Sequence, residues 1–153
     1  MIETTNHSIP LWQFELLKQE KGILHYVTSR QGGVSEGIYA TFNQSYTAGD
    51  RQEDVLENRR RLARELEITP GMFLFPGQTH TACVRVINSY EELKDRITET
   101  DGLITGLPEI CVSVLTADCV PLLLYDPKKK MVAAIHAGWR GTVQSIVLEA
   151  ADM

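Results

Sequence analysis

The chain has 153 residues, of which 43% are hydrophobic and 23% charged, and its formal net charge is -5. This length suits one domain with a sizeable core, and the acidic balance argues against a general affinity for nucleic acid or anionic membranes. The sequence lacks both a secretion signal and the roughly 20 apolar residues of a membrane span. We therefore expect a soluble, cytoplasmic protein of one domain, residues 1–153, without nucleic-acid or membrane partners.

Short apolar segments rich in β-branched residues and bounded by turn residues predict six strands. In chain order they are residues 23–28, 82–87, 102–105, 111–116, 120–125 and 131–137.

Helical spacing of apolar residues predicts three helices. The first covers residues 50–68, with Asp50 as its N-cap and Val55, Leu62, Leu66 and Ile68 as its apolar face. A short second helix is predicted at residues 89–97, where Ser89 and Glu92 have the spacing of a capping box. The third helix is predicted to begin after Gly141 and to reach the last residue, with Val143, Ile146, Val147 and Ala150 on one face.

The last two strands are predicted to form a hairpin across the turn Pro127–Lys130, whose lysines are solvated. In this register Pro121 faces His136, and Cys119 lies diagonally from His136 on the same sheet face, about 7 to 8 Å away between backbones. A bulge at residues 118–120, or the missing N–H of Pro121, would displace this geometry.

Three potential metal ligands occur in short polar segments, two of which contain glycine: His80 in PGQTH, Cys119 in TADC and His136 in HAGWRG. Two imidazoles and one thiol from separate segments would leave a fourth position open, as in catalytic zinc sites. Register alone cannot place His80. Taken singly, each of the three is more often structural, and the remaining histidines, His7 and His25, are interpreted as structural.

The cysteines are odd in number and the chain lacks a secretion signal, so reduced thiols are expected rather than disulfides. Cys83 and Cys111 lie in predicted strands and are expected to be buried core thiols.

Three other functions of these three residues remain open. Two histidines and a cysteine also describe a copper electron-transfer centre, although four histidines in the whole chain are too few for a multicopper cluster. Cys119 could instead be a nucleophile with His136 as its base, in a cysteine hydrolase without metal. A non-catalytic metal-binding module is the last alternative.

Six segments in order from Ser29 to the end resemble the bacterial YfiH family, also called the multicopper polyphenol oxidase or laccase-domain family. They are SRQGGVSEGIYATFNQSYTAGD, ENRRRL, PGQTH, TDGLIT, TADCVPLLLYDP and AAIHAGWRGTV. The resemblance implies an α/β (α+β) fold with mixed β-sheets in layers and flanking helices. Family members usually have about 240 residues, so a C-terminal part of the domain is expected to be missing.

The resemblance also implies a zinc site formed by His80, Cys119 and His136. It implies phosphorolysis of adenosine, inosine and methylthioadenosine, with purine nucleosides and phosphate as partners, and deamination of adenosine. Copper-dependent phenol oxidation is the family's older attribution. A homodimer is compatible with the sequence.

Further residues are candidates for the supporting chemistry. Deamination needs a carboxylate that moves protons, and Asp118 and Asp101 are available. Phosphorolysis needs an anion site, for which Arg140, beside a predicted helix start, and Arg30, before two glycines, are suitable. Asn43 and Gln78 are candidates for hydrogen bonds to the nucleoside, on the basis of their motif positions.

Overall fold

The computed structural model describes residues 1–4 and 8–153, which form two compact units, Met1–Pro70 and Gly71–Met153. His7, interpreted above as structural, lies outside the described residues. Within the described ranges, no helix has both the length and the apolar character needed to cross a membrane.

The first unit contains a small antiparallel sheet and one long helix. Its strands are β1 (Ile2–Thr4), β2 (Leu11–Gln13) and β3 (Val27–Thr28), in that spatial order; its helices are α1 (Glu15–Lys18), α2 (Gln52–Glu65) and a 3-10 helix, Gly37–Tyr39. A second 3-10 helix, Pro70–Met72, lies where this unit ends. The strand predicted at 23–28 is therefore only two residues long, because β3 pairs with β2 solely through Val27 and Thr28.

Helix α2 confirms the long predicted helix and buries Val55 and Leu62 as expected. The predicted cap is wrong: Arg51 occupies the N-cap position and makes no side-chain cap bond. The Asp50 carboxylate is instead engaged by the Ser35 hydroxyl, the Asn43 amide and the Arg51 N–H. These hydrogen bonds hold the pKa of Asp50 below its ordinary value, with the Ser35 bond the largest cause.

Asn58 of α2 is a fully buried polar residue in this unit. Its side-chain oxygen accepts the Val34 N–H at 2.9 Å. Its amide nitrogen donates to the Ser35 hydroxyl and to the carbonyls of Thr41 and Asn43. One side chain thus satisfies several loop groups that would otherwise be buried without partners.

The second unit confirms the predicted α/β class with mixed sheets. Its strands are β4 (Phe73–Leu74), β5 (Val84–Ile87), β6 (Gly102–Thr105), β7 (Cys111–Val112), β8 (Val120–Asp126) and β9 (Met131–Ala137). β4 and β7 form a parallel pair, and the other four form a sheet in the order β5-β6-β9-β8, in which only β5 and β6 are parallel.

The hairpin of β8 and β9 has the predicted register. Asp126 faces Met131 and Pro121 faces His136 without a break in the ladder. Pro121 is tolerated because β8 is an edge strand. The side of β8 away from β9 has no partner strand in this sheet, so the missing N–H costs no sheet hydrogen bond there. The lysines of the connecting turn are exposed, as expected.

The strand predicted at 111–116 ends at Val112, because the Gln78 side chain takes both main-chain groups of Leu115. The strand predicted at 82–87 begins at Val84, since the Cys83 N–H donates to the Thr81 hydroxyl in the preceding loop. The prediction that Cys83 is a core thiol is consequently wrong, and its side chain is exposed. Cys111 lies in β7 as predicted but is half-buried rather than fully in the core, and burial raises the pKa of its thiol.

The helices of the second unit are shorter than predicted. The predicted second helix is a 3-10 helix, Tyr90–Lys94, with the expected capping box between Ser89 and Glu92. The predicted C-terminal helix is two helices, α3 (Trp139–Val143) and α4 (Ile146–Ala151). Ser145 between them has a left-handed φ of 62°, which rotates the apolar face, so Ile146 and Ala150 are buried while Val143 is 78% exposed.

The core of this unit covers both faces of the central strand β6, because successive side chains of a strand point to opposite faces. Ile104 packs in one cluster with Ile135 of β9 and Ile146 of α4. Leu103 packs in the other cluster, with Leu74 and Ile87. This packing fixes β6, the strand that begins directly after Asp101.

Candidate metal centre

The three predicted ligands converge in the second unit. The ligand atoms of His80, Cys119 and His136 all lie within 4.8 Å of one another. Cys119 Sγ is 3.9 Å from His80 Nε2, and the two imidazole rings meet edge to face with centroids 4.8 Å apart. His136 is 3% exposed, whereas Cys119 is half-buried and His80 is exposed. The group is therefore anchored on one side and open on the other.

Each ligand is positioned by a different element. His136 lies in β9, and Cys119 directly precedes the paired strand β8. His80 lies on the loop between β4 and β5, in a left-handed conformation with a φ of 62°. Gln78 of this loop donates from Nε2 to the Leu115 carbonyl at 2.7 Å and accepts the Leu115 N–H at 2.8 Å. The His80 loop is thereby fastened to the segment that leads to Cys119.

Gly138 leaves space at the centre of the group. A β-carbon on this residue would come 2.9 Å from His80 Cδ2, 3.4 Å from Cys119 Sγ and 3.5 Å from His136 Cε1. The backbone of Gly138 has φ -70° and ψ 168°, which any residue can adopt. Glycine is thus required for the space between the three ligands and not for backbone conformation.

The donor set suits zinc, and one of its spacings is close to that of a zinc site. Tetrahedral zinc with Zn–S and Zn–N bonds of about 2.3 and 2.0 Å separates a sulfur and a nitrogen ligand by about 3.6 Å. The 3.9 Å between Cys119 Sγ and His80 Nε2 is close to that value. The space beside Gly138 would be filled by a single carbon atom.

Asp101 contacts the group from the buried side. Its carboxylate is fully buried, and its Oδ1 lies 2.7 Å from His136 Nδ1. Burial alone would raise the pKa of Asp101, but hydrogen bonds from Thr81, His136 and Thr79 outweigh it and hold the pKa below its ordinary value. Asp101 is therefore an ionised carboxylate in the fold.

The free Cys119 thiol is a poor nucleophile. Desolvation is the largest cause that raises the pKa of Cys119, followed by the negative charge of Asp118, whose Oδ1 accepts the thiol proton at 3.7 Å. The thiolate is the reactive form of cysteine, so this environment disfavours a metal-free cysteine hydrolase.

Arg140 and Asp118 lie beside the ligands in sequence and are exposed. The Arg140 guanidinium carbon is 5.3 Å from the ring centroid of Trp139. Among the residues that the structure describes, no hydrogen bond or ion pair occupies this guanidinium. The helix after Gly138 is a five-residue segment that begins at Trp139, before Gly141 where the sequence predicted its start.

The candidate substrate-binding residues make local contacts. Arg30 and Asn43 belong to the first unit. Arg30 Nε donates to the Ala40 carbonyl at 2.7 Å, and the Asn43 amide bonds Ser45 and Asp50. Gln78, in the second unit, uses both ends of its amide on Leu115. These contacts favour positioning roles for Asn43 and Gln78 over direct contact with a nucleoside.

Sequence reasoning missed the contributions of Gly138 and Thr81. Gly138 was visible only as one glycine of HAGWRG, and nothing in that motif says which ligand it approaches. Thr81 donates its hydroxyl to Asp101 Oδ2 at 2.9 Å and follows His80 directly. A threonine next to a candidate ligand was the available signal for that contact.

The chain is similar to a known protein family and to curated relatives. The family described as multi-copper polyphenol oxidoreductase laccase matches residues 24–153. A purine nucleoside phosphorylase of Bacteroides thetaiotaomicron is 42% identical over 140 residues, which cover 88% of this chain and 52% of that protein. The purine nucleoside phosphorylase YlmD of Bacillus subtilis is 31% identical over 135 residues, 84% of this chain and 49% of that protein.

Solved structures show the same fold. The structure of the hypothetical protein YfiH from Bacillus licheniformis has a TM-score of 0.79 at 30% identity and covers 84% of this chain and 50% of its own. YlmD from Geobacillus stearothermophilus has a TM-score of 0.76 at 32% identity, covering 82% and 49%. The chain spans about half the length of the curated relatives that it matches.

Proposed function

The chain belongs to the multi-copper polyphenol oxidoreductase laccase family, and on this premise we propose that it is a zinc-dependent purine nucleoside phosphorylase. Adenosine, inosine and methylthioadenosine are the proposed nucleosides, and deamination of adenosine is a proposed second activity. The observation that carries the proposal is the convergence of His80, Cys119 and His136 around the space at Gly138. Relatives named purine nucleoside phosphorylase support the substrate class.

In the proposed metal site His80, Cys119 and His136 are the ligands. A zinc ion held by two imidazoles and a thiolate supplies a Lewis acid with one coordination position open. Copper is a weaker proposal, since the ring nitrogen Nε2 of His25 is already engaged and accepts the Phe14 N–H at 2.8 Å. We propose one mononuclear centre, because the two histidines of this group are fewer than a multicopper cluster needs.

Phosphorolysis needs an anion site and stabilisation of the departing base. Phosphate attacks the anomeric carbon of ribose, the bond from that carbon to the base nitrogen breaks, and the base leaves with the bonding electrons. We assign phosphate binding to Arg140, whose exposed guanidinium has donors available for two oxygens of one anion. Arg30 is the second candidate, although Nε of its guanidinium is already bonded to the Ala40 carbonyl.

Deamination needs a carboxylate that can exchange protons with a reacting group. Asp118 is exposed and accepts from the Cys119 thiol, so it can reach both the ligands and solvent. Asp101 is fully buried behind His136 and is surrounded by donors. We therefore propose Asp118, rather than Asp101, for proton transfer.

The test is product analysis with zinc-quantified protein and adenosine, in the presence and absence of phosphate. Free adenine that appears only with phosphate supports phosphorolysis, and inosine supports deamination. Cys119→Ala should lose both zinc and turnover, while Cys83→Ser, which alters an exposed thiol of the same unit, should keep both.

Three other outcomes contradict the proposal. Full activity in metal-free protein would favour the cysteine hydrolase, despite the raised pKa of the thiol. Phenol oxidation that depends strictly on copper, with no release of adenine, would favour the oxidase. A folded, zinc-loaded protein that is inert towards nucleosides and phenols would favour a non-catalytic metal-binding module.

A further inference from the structure

The Asp101 carboxylate receives hydrogen bonds from five donors. Oδ1 accepts the His80 N–H at 3.0 Å and lies 2.7 Å from His136 Nδ1. Oδ2 accepts the N–H groups of Thr79 and Thr81 and the Thr81 hydroxyl. Only an ionised carboxylate can accept from all of these groups, because an asparagine amide would turn its NH2 towards another donor.

The loop that carries His80 is shaped around this carboxylate. Three consecutive main-chain N–H groups, from Thr79, His80 and Thr81, point at its two oxygens. His80 itself has a φ of 62°, a conformation that costs free energy in any residue with a β-carbon. The hydrogen bonds to Asp101 offset that cost, so the carboxylate holds the His80 backbone where the ring meets Cys119.

The same residue holds His136 at two points. The His136 N–H donates to the main-chain carbonyl of Asp101 at 2.7 Å, and the ring nitrogen Nδ1 meets the carboxylate at the same distance. Since a carboxylate can only accept, it favours the tautomer with the proton on Nδ1. That tautomer leaves the Nε2 lone pair free for the ligand group.

We propose that Asp101 is the positioning residue of the metal centre, one buried carboxylate that orients His136 and shapes the His80 loop. The inference rests on the metal site of the proposed function and replaces the proton-transfer role that the sequence suggested for Asp101. Metal-ligating histidines commonly donate their second nitrogen to a carboxylate, and loss of that partner lowers metal affinity about 10- to 100-fold.

The test uses the full isotope-labelled chain without metal and long-range proton–nitrogen NMR correlations of its imidazole rings. Wild type should show the His136 ring with its proton on Nδ1, shifted far downfield and protected from exchange. Asp101→Asn should redistribute the tautomers of His136 and lower zinc affinity about 10- to 100-fold, measured by competition with a chelator. Asp118→Asn removes the same charge beside Cys119 and should leave the His136 tautomer unchanged.

Two results would overturn the inference. One is a wild-type His136 ring with its proton on Nε2, which requires no variant and so does not depend on how Asp101→Asn folds. The other is Asp101→Asn with the wild-type tautomer and zinc affinity. If the tautomer responds to Asp101→Asn but wild type binds no zinc, the orientation of His136 by Asp101 is supported while the proposed function fails. If zinc and phosphorolysis are present but Asp101→Asn changes nothing, the function stands and this inference fails.

Discussion

The side chain of Gln78 replaces a neighbouring strand for Leu115, since it bonds both the carbonyl and the N–H of that residue. A change to alanine leaves two main-chain groups without these partners, at a cost of about 1–3 kcal/mol for each group that stays buried. We expect Gln78→Ala to lower the free energy of unfolding of the metal-free protein by about 1–3 kcal/mol for each such group. Urea denaturation measures this change. Gln144→Ala, at an exposed glutamine of the same unit, should change it little. Equal stability of the two variants would contradict a role for the Gln78 clamp.

Gly138→Ala should damage metal binding more than folding. The added carbon would lie only 2.9 Å from His80 Cδ2, while the backbone angles at this position suit alanine. We expect zinc affinity to fall about tenfold or more, the range seen when the surroundings of metal ligands change, with little change in Tm. Gly106→Ala is the matched control, because its added carbon would meet neighbours at 3.6 Å. Wild-type zinc affinity in Gly138→Ala would show that the space is not needed.

Zinc affinity should rise with pH. The pKa of the Cys119 thiol is raised by desolvation and by Asp118, so protons compete with the metal throughout the neutral range. Binding through a thiolate releases that proton, and the apparent affinity should therefore grow about tenfold per pH unit from about pH 7 to 8. Chelator competition at several pH values measures the slope. Cys83→Ser should retain it, and a slope near zero in wild type would argue against thiolate ligation.

Asn58→Ala should destabilise the first unit strongly. The substitution removes the hydrogen-bond partners of the Val34 N–H and the Asn43 carbonyl, while the Thr41 carbonyl keeps the Ser35 N–H as a donor. At about 1–3 kcal/mol for each of the two groups left unsatisfied, a loss of about 2–6 kcal/mol is expected. Arg60→Ala, at an exposed site on the same helix, is the control. Denaturant unfolding compares the two variants. A loss below about 1 kcal/mol in Asn58→Ala would contradict the stabilising role of these hydrogen bonds.

Elements with strong local patterns were predictable. The helix around Val55 and Leu62 and the strand of Leu103 and Ile104 appear where expected, because apolar periodicity reports burial directly. The break at Ser145 was not predictable, since a single left-handed residue divides a segment whose composition favours one continuous helix. The exposed position of Cys83 was not predicted, because the loop before it is held by hydrogen bonds to Asp101, a residue distant in sequence.

By itself, the sequence determined which residues are the candidate ligands and how two of the three lie relative to each other. The turn length between β8 and β9 sets the register that brings Cys119 and His136 to adjacent positions, because strand pairing has a fixed period of two. Only the tertiary structure decided how His80 joins them, where Asp101 points and why residue 138 is glycine. The contacts of His80 and Asp101 join residues 20 or more positions apart, and they depend on side-chain packing and hydrogen bonds that no local periodicity encodes.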